Sequence, residues 1–134
     1  TNGYNAIEFD NATGSLVGRI TTSAASTAYV TSSDYRLKEN VDYTWDATTR
    51  LKQLKPARFN WITDDTNTLI DGFLAHEVSG VVPEAVIGEK DAVHPDGHHE
   101  AGEMDPQGID HSKLVPLLVK TIQELEARIT ALES

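Results

Sequence analysis

The 134-residue chain contains no cysteine. A disulfide framework, a thiolate nucleophile and a thiolate metal site are therefore all excluded. Aromatic residues make up only 7%, methionine occurs once, and the apolar share is 39%. That share is a little low for a self-sufficient globular monomer, and it leaves room for a partner subunit to complete a core. Basic side chains are scarce: 11 Lys and Arg stand against 21 Asp and Glu, for a net charge of -10. Such an acidic surface repels phosphates, so nucleic acid and anionic membranes are poor partners. No apolar run is long enough to span a bilayer. No Gly-x-Ser-x-Gly elbow is present. Glycan hydrolysis needs paired carboxylates in a cleft, and the acidic loops offer no identifiable pair. The length suits one modest domain, or one domain with an appendage. Thr1 opens the chain, so a piece of a longer polypeptide is expected.

Three regions differ in composition. Residues 1–32 are rich in Thr, Ser, Ala, Asn and Gly, and their only charged residues are Glu8, Asp10 and Arg19. Alternating stretches at Ala6–Phe9, Ser15–Thr21 and Thr27–Thr31 read as short strands, and Asp10-Asn11-Ala12-Thr13-Gly14 reads as a turn. Three such strands hold too few large apolar residues to stand alone. The expectation is the end of a β-structured fibre completed by other chains; the alternative is a flexible linker. Residues 33–110 read as a small α+β region. Asp46 to Leu54 suits a short helix with Asp46 as N-cap and Pro56 ending it. Ala57–Ile62 reads as a strand with Ala57, Phe59 and Trp61 on one face. Residues 88–110 are polar and read as a long loop or extended hairpin. Within it, His94, His98, His99 and Glu100 are metal-ligating types. Their spacing alone makes a solvated or fibre-docked loop the expectation, with no metal.

Residues 111–133 carry the clearest pattern. Val115, Leu118, Ile122, Leu125, Ile129 and Leu132 follow spacings of 3, 4, 3, 4 and 3. That is the seam of a coiled coil. Pro116 falls in the first turn, where its missing N–H costs little. A helix packed only on its own domain is the alternative, since fewer than three heptads do not exclude it. The seam mixes Ile and Leu and does not fix the number of strands.

The composition changes at Ser32-Ser33-Asp34-Tyr35-Arg36-Leu37-Lys38. A serine hydroxyl is a weak nucleophile until a base takes its proton. Lys38 is the nearest acceptor, and Ser–Lys pairs are a known variant of the nucleophile–base arrangement. A lysine acts as a base only when neutral, and burial favours the neutral amine. Spacing alone favours a plainer reading, an N-cap serine followed by a solvated basic patch.

The segment Ser33-Asp34-Tyr35-Arg36-Leu37-Lys38-Glu39-Asn40-Val41 resembles the signature of the self-cleaving intramolecular chaperones that close phage endosialidases, tail fibres and neck appendages. The same family occurs in the eukaryotic myelin regulatory factor. Further blocks follow in order. Leu54-Lys55-Pro56-Ala57-Arg58-Phe59-Asn60-Trp61 is similar to the family's Leu-x-Pro strand, and Gly72-Phe73-Leu74-Ala75-His76-Glu77-Val78 to its Gly-Phe block. Val82-Pro83-Glu84-Ala85-Val86 follows. Gly108-Ile109-Asp110-His111-Ser112-Lys113-Leu114-Val115-Pro116-Leu117-Leu118 resembles the opening of the family's last helix.

The resemblance implies a homotrimer whose client and substrate is its own upstream fibre segment. The implied architecture is a fibre end like a triple β-helix over residues 1–32 and a chaperone domain over 33–134, with the last helix at about 111–133. It implies self-cleavage between Ser32 and Ser33, with Ser33 as nucleophile, Lys38 as general base, and Asp34 and His76 as possible supporting residues. No cofactor is required. The implied setting is a virion tail fibre or spike precursor in the host cytoplasm, with the chaperone released after the cut. The rival reading is a trimerisation collar that does not cut.

Overall fold

The computed structural model describes residues 4–134. The chain divides into two compact units, Thr1–Tyr43 and Thr44–Ser134.

The first unit is an antiparallel meander of β1 (Tyr4–Asp10), β2 (Leu16–Thr22) and β3 (Thr27–Thr31), in that spatial order. The Asn11–Ser15 turn explains the first reversal. The Asn11 Oδ1 accepts hydrogen bonds from the N–H groups of Thr13 and Ser15, both at 3.0 Å. Gly14 takes the positive φ of 77° that this turn needs. Register places Ile20 between Ile7 and Tyr29. The three expected strands are therefore present. None of the described residues of this unit is buried, and Tyr4, Ile7, Phe9 and Tyr29 are all exposed. A lone sheet of this kind buries too little to be stable by itself.

The second unit has the mixed α/β character expected. Helix α1 (Ala47–Leu51) begins at Asp46, whose Oδ1 accepts the Thr49 N–H at 3.0 Å, as its position before the helix suggested. Strands β4 (Ala57–Phe59) and β5 (Ile70–Gly72) pair antiparallel, with Arg58 opposite Asp71. The expected strand to Ile62 stops at Phe59. Trp61 turns out to solvent, its ring edge-on to Phe59 at 5.4 Å. Helix α2 (Ala75–Ser79) leads through Val82 to a 3-10 turn at Pro83–Ala85. Strands β6 (Val86–Ile87) and β7 (Gly108–Ile109) close the base of the long polar segment, so its hairpin form holds. A 3-10 turn at His111–Leu114 feeds α3 (Val115–Glu133).

The core is small: Ala47, Val78, Val82, Ala85, Leu114 and Leu117, with Trp45, Leu51, Leu54 and Phe73 packed against it. Leu114, the last residue of the His111–Leu114 turn, and Leu117, Thr121 and Glu124 of α3 face it in a 3, 4, 3 stripe. Glu124 reaches α1: its Oε1 accepts the Ala47 N–H at 2.9 Å and its Oε2 the Thr48 N–H at 2.8 Å. A carboxylate thus satisfies two free donors at a helix N-terminus. The expected seam lies on another face. Val115, Leu118, Ile122, Leu125, Ile129 and Leu132 are all exposed, and every residue from 125 to 134 is exposed. Helix α3 both packs on its own unit and leaves the seam free. No helix of the described residues is long and apolar enough to cross a membrane.

Candidate active site

The serine motif follows the last rung of the meander. Ser32 extends β3 by one bond, its N–H donating to the Val17 carbonyl at 3.0 Å, and its hydroxyl reaches the Leu16 carbonyl at 3.4 Å. The Ser32–Ser33 bond therefore lies where the chain leaves the sheet. Asp34 is extended, at φ -65° and ψ 134°, and caps the 3-10 turn Tyr35–Leu37 by accepting the Arg36 N–H at 2.9 Å. Lys38 closes the turn, its N–H donating to the Tyr35 carbonyl at 3.1 Å. Five extended residues would span about 17 Å. The turn instead brings the Lys38 Nζ to 2.7 Å from the Ser33 Oγ.

Arg36 grips Asp34 with a fork: Nε donates to Oδ1 at 2.9 Å and Nη2 to Oδ2 at 2.7 Å. The Arg36 side chain, and then its backbone N–H, hold the Asp34 carboxyl below the usual carboxylate range. Asp34 in turn raises the Arg36 guanidinium. Arg36 thus pairs with a carboxylate, and Asp34 is engaged chiefly by Arg36 and the turn. The Lys38 charge lowers the Asp34 carboxyl further, by a smaller effect.

A shallow cleft of about 320 Å³ runs beside the motif, lined by Leu16, Arg19, Val30, Ser32, Ser33 and Leu37 among others. Ser33 and Lys38 are exposed in the single chain. As an ammonium, Lys38 donates to the Ser33 oxygen. To act as base the amine must lose that extra proton, which desolvation promotes. His76 belongs to the second unit, on α2, where it is exposed and borders an open groove with Lys90, Asp91 and Gln107.

Residues 33–87 match the family described as chaperone of endosialidase, whose name also classes it as a peptidase. The match begins at Ser33 itself. The match supports an endosialidase-type intramolecular chaperone domain beginning at Ser33. No curated protein matches the chain. The chaperone match crosses the boundary between the units: its first residues, 33–43, are grouped with the sheet. The physical reason is local, since the Asp34–Lys38 turn bonds within itself and buries nothing. The sequence marks the serine and the lysine by type and order. It does not mark the Arg36–Asp34 fork, because an i to i+2 pairing depends on a turn that periodicity does not register.

Proposed function

We propose that the chain trimerises, templates the folding of a phage tail fibre or spike, and then releases residues 33–134 by cutting the Ser32–Ser33 bond. The observation that carries the reading is the 2.7 Å contact between the Lys38 Nζ and the Ser33 Oγ, one residue past the last sheet hydrogen bond. The family match beginning at Ser33 supports it. So do the coreless sheet and the bare seam of α3, both of which a second and third chain would cover.

Assembly buries Lys38 and favours its neutral amine. The amine takes the hydroxyl proton of Ser33. The Ser33 oxygen attacks the Ser32 carbonyl carbon, a neighbour whose proximity is built into the chain. The C–N bond breaks, an ester joins Ser32 to the Ser33 oxygen, and the freed Ser33 nitrogen receives the proton. Water then hydrolyses the ester, leaving a carboxylate on Ser32 and the hydroxyl on Ser33. Asp34, fixed by Arg36, holds the turn.

The order of events has a physical logic. Strands that need three chains in register fold slowly. A domain that trimerises first raises the effective concentration of the others. Removing it afterwards makes the persistence of the fibre kinetic. The setting is a tail fibre or spike precursor in the host cytoplasm.

The exposure of Ser33 and Lys38 in one chain favours a second reading, a collar that trimerises without cutting. Ser33→Ala separates the two on a gel. Wild type should give a fragment spanning 33–134 and a shorter N-terminal piece, while the variant should stay whole. A wild-type trimer that stays whole supports the collar, and continued cutting at this bond in Ser33→Ala overturns the assigned nucleophile.

A further inference from the structure

The polar hairpin between β6 and β7 is tied by its backbone. Val93 bridges Met104, the His94 N–H donates to the Glu103 carbonyl at 2.9 Å, and the Gly102 N–H returns a bond to the His94 carbonyl at 2.9 Å. Two tight turns follow within it, with the His98 N–H on the Pro95 carbonyl and the Ala101 N–H on the His98 carbonyl, both at 3.1 Å. These turns fold His98 and Glu100 back over His94. The imidazoles of His94 and His98 stack at 4.2 Å with 10° between their planes. The Glu100 Oε2 lies 3.5 Å from the His94 Nε2. One donor atom from each of His94, His98 and Glu100 falls within 4.8 Å of the others.

We propose that His94, His98 and Glu100 bind a divalent first-row transition ion of the zinc class. The donor set fits: imidazole and carboxylate ligands suit zinc, copper and nickel, and three protein ligands leave a position for water. Ligand atoms lie about 2.0–2.2 Å from a bound zinc ion, so the cluster must contract by about 1 Å. His98 and Glu100 are exposed on turns and free to make that movement, whereas the His94 side chain is only 19% exposed. The other His94 nitrogen, Nδ1, faces the Asp105 carboxylate at 4.0 Å. That is the side on which a metal-bound imidazole wants a carboxylate, leaving Nε2 for the ion. The His98 Nδ1 accepts the Glu100 N–H at 3.2 Å, a bond that must be given up or rearranged on binding. A net charge of -10 draws the cation. The ion would pin the tip of the hairpin. This proposal is independent of the cutting reaction, and it replaces the expectation of a metal-free loop that spacing alone suggested.

The test is calorimetric titration of the 134-residue chain with zinc chloride after chelator treatment. One ion should bind per chain, in the micromolar range or tighter. Loss of an outer-shell partner typically costs about 10–100-fold in metal affinity; His98→Ala and Glu100→Gln should each cost at least that much. His111→Ala, which removes a histidine outside the hairpin, should bind within a few-fold of wild type. Cobalt(II) substitution should give a visible absorption band that His98→Ala lacks. The proposal is overturned by the absence of saturable zinc binding in wild type, or by His98→Ala and Glu100→Gln binding zinc as wild type does.

Discussion

Ile122→Asp distinguishes the two faces of α3. In the single chain Ile122 is 65% exposed and lies on the bare seam, whereas Leu117 on the inward face is 2% exposed. Burying an isoleucine side chain completely contributes about 1.5–3 kcal/mol. About two-thirds of that, roughly 1–2 kcal/mol per chain, remains available to assembly at Ile122, and three copies make it roughly 3–6 kcal/mol per trimer. A carboxylate forced into the seam adds a desolvation cost. The association constant of the proposed trimer should therefore fall by at least roughly 10²–10⁴-fold. Sedimentation equilibrium across a concentration series reads this directly. The unassembled variant should keep wild-type circular dichroism, because residue 122 does not touch the core. It should also lose self-cleavage, since Lys38 stays in water. Leu117→Ala is the contrasting control: it should cost about 2–5 kcal/mol of folding stability at any concentration. Identical assembly and identical cutting in Ile122→Asp and wild type would refute the assignment of this face as the subunit seam.

Two further outcomes concern the second unit. The Thr121 hydroxyl is buried without a hydrogen-bond partner among the described residues, so Thr121→Val should stabilise the chain by about 1 kcal/mol, read as a raised denaturation midpoint. Glu124 carries a pH dependence. Hydrogen bonds from the Ala47 N–H and the Thr48 hydroxyl hold its carboxyl below the usual range. Its contribution is therefore complete above the unfolded glutamate value of about 4.3 and is lost as pH falls through the lower folded value. The melting difference between wild type and Glu124→Gln should be largest at neutral pH and shrink on acidification; a difference that grows in acid would contradict the assigned contacts.

Much of the architecture was legible from side-chain period. Alternation marked the three strands of the first unit, and the 3, 4 repeat marked α3. Periodicity was less informative where two signals overlap. The seam residues and the inward stripe Leu114, Leu117, Thr121 and Glu124 interleave on one helix, so the pattern showed an apolar face without showing that the core uses the other one. The bond from Glu124 to α1 left no mark in the pattern, because its partners, Ala47 and Thr48, lie far back in the chain. Trp61 read as a strand residue because alternation continues past Phe59, where pairing stops. At the site, the family resemblance rather than spacing pointed to Ser33 and Lys38, and their approach depends on the Asp34–Arg36 turn. The approach of His94, His98 and Glu100 was illegible for a similar reason: they meet through turns and a backbone bridge that spacing does not encode.

Intact-mass spectrometry of the purified, assembled chain tests the central claim most directly. The account predicts that wild type yields a species whose mass begins at Ser33 and ends at Ser134, with the N-terminal piece ending at Ser32, and that Ser33→Ala yields only the full-length mass. A wild-type trimer of undivided mass, or a cut at any other bond, would contradict it.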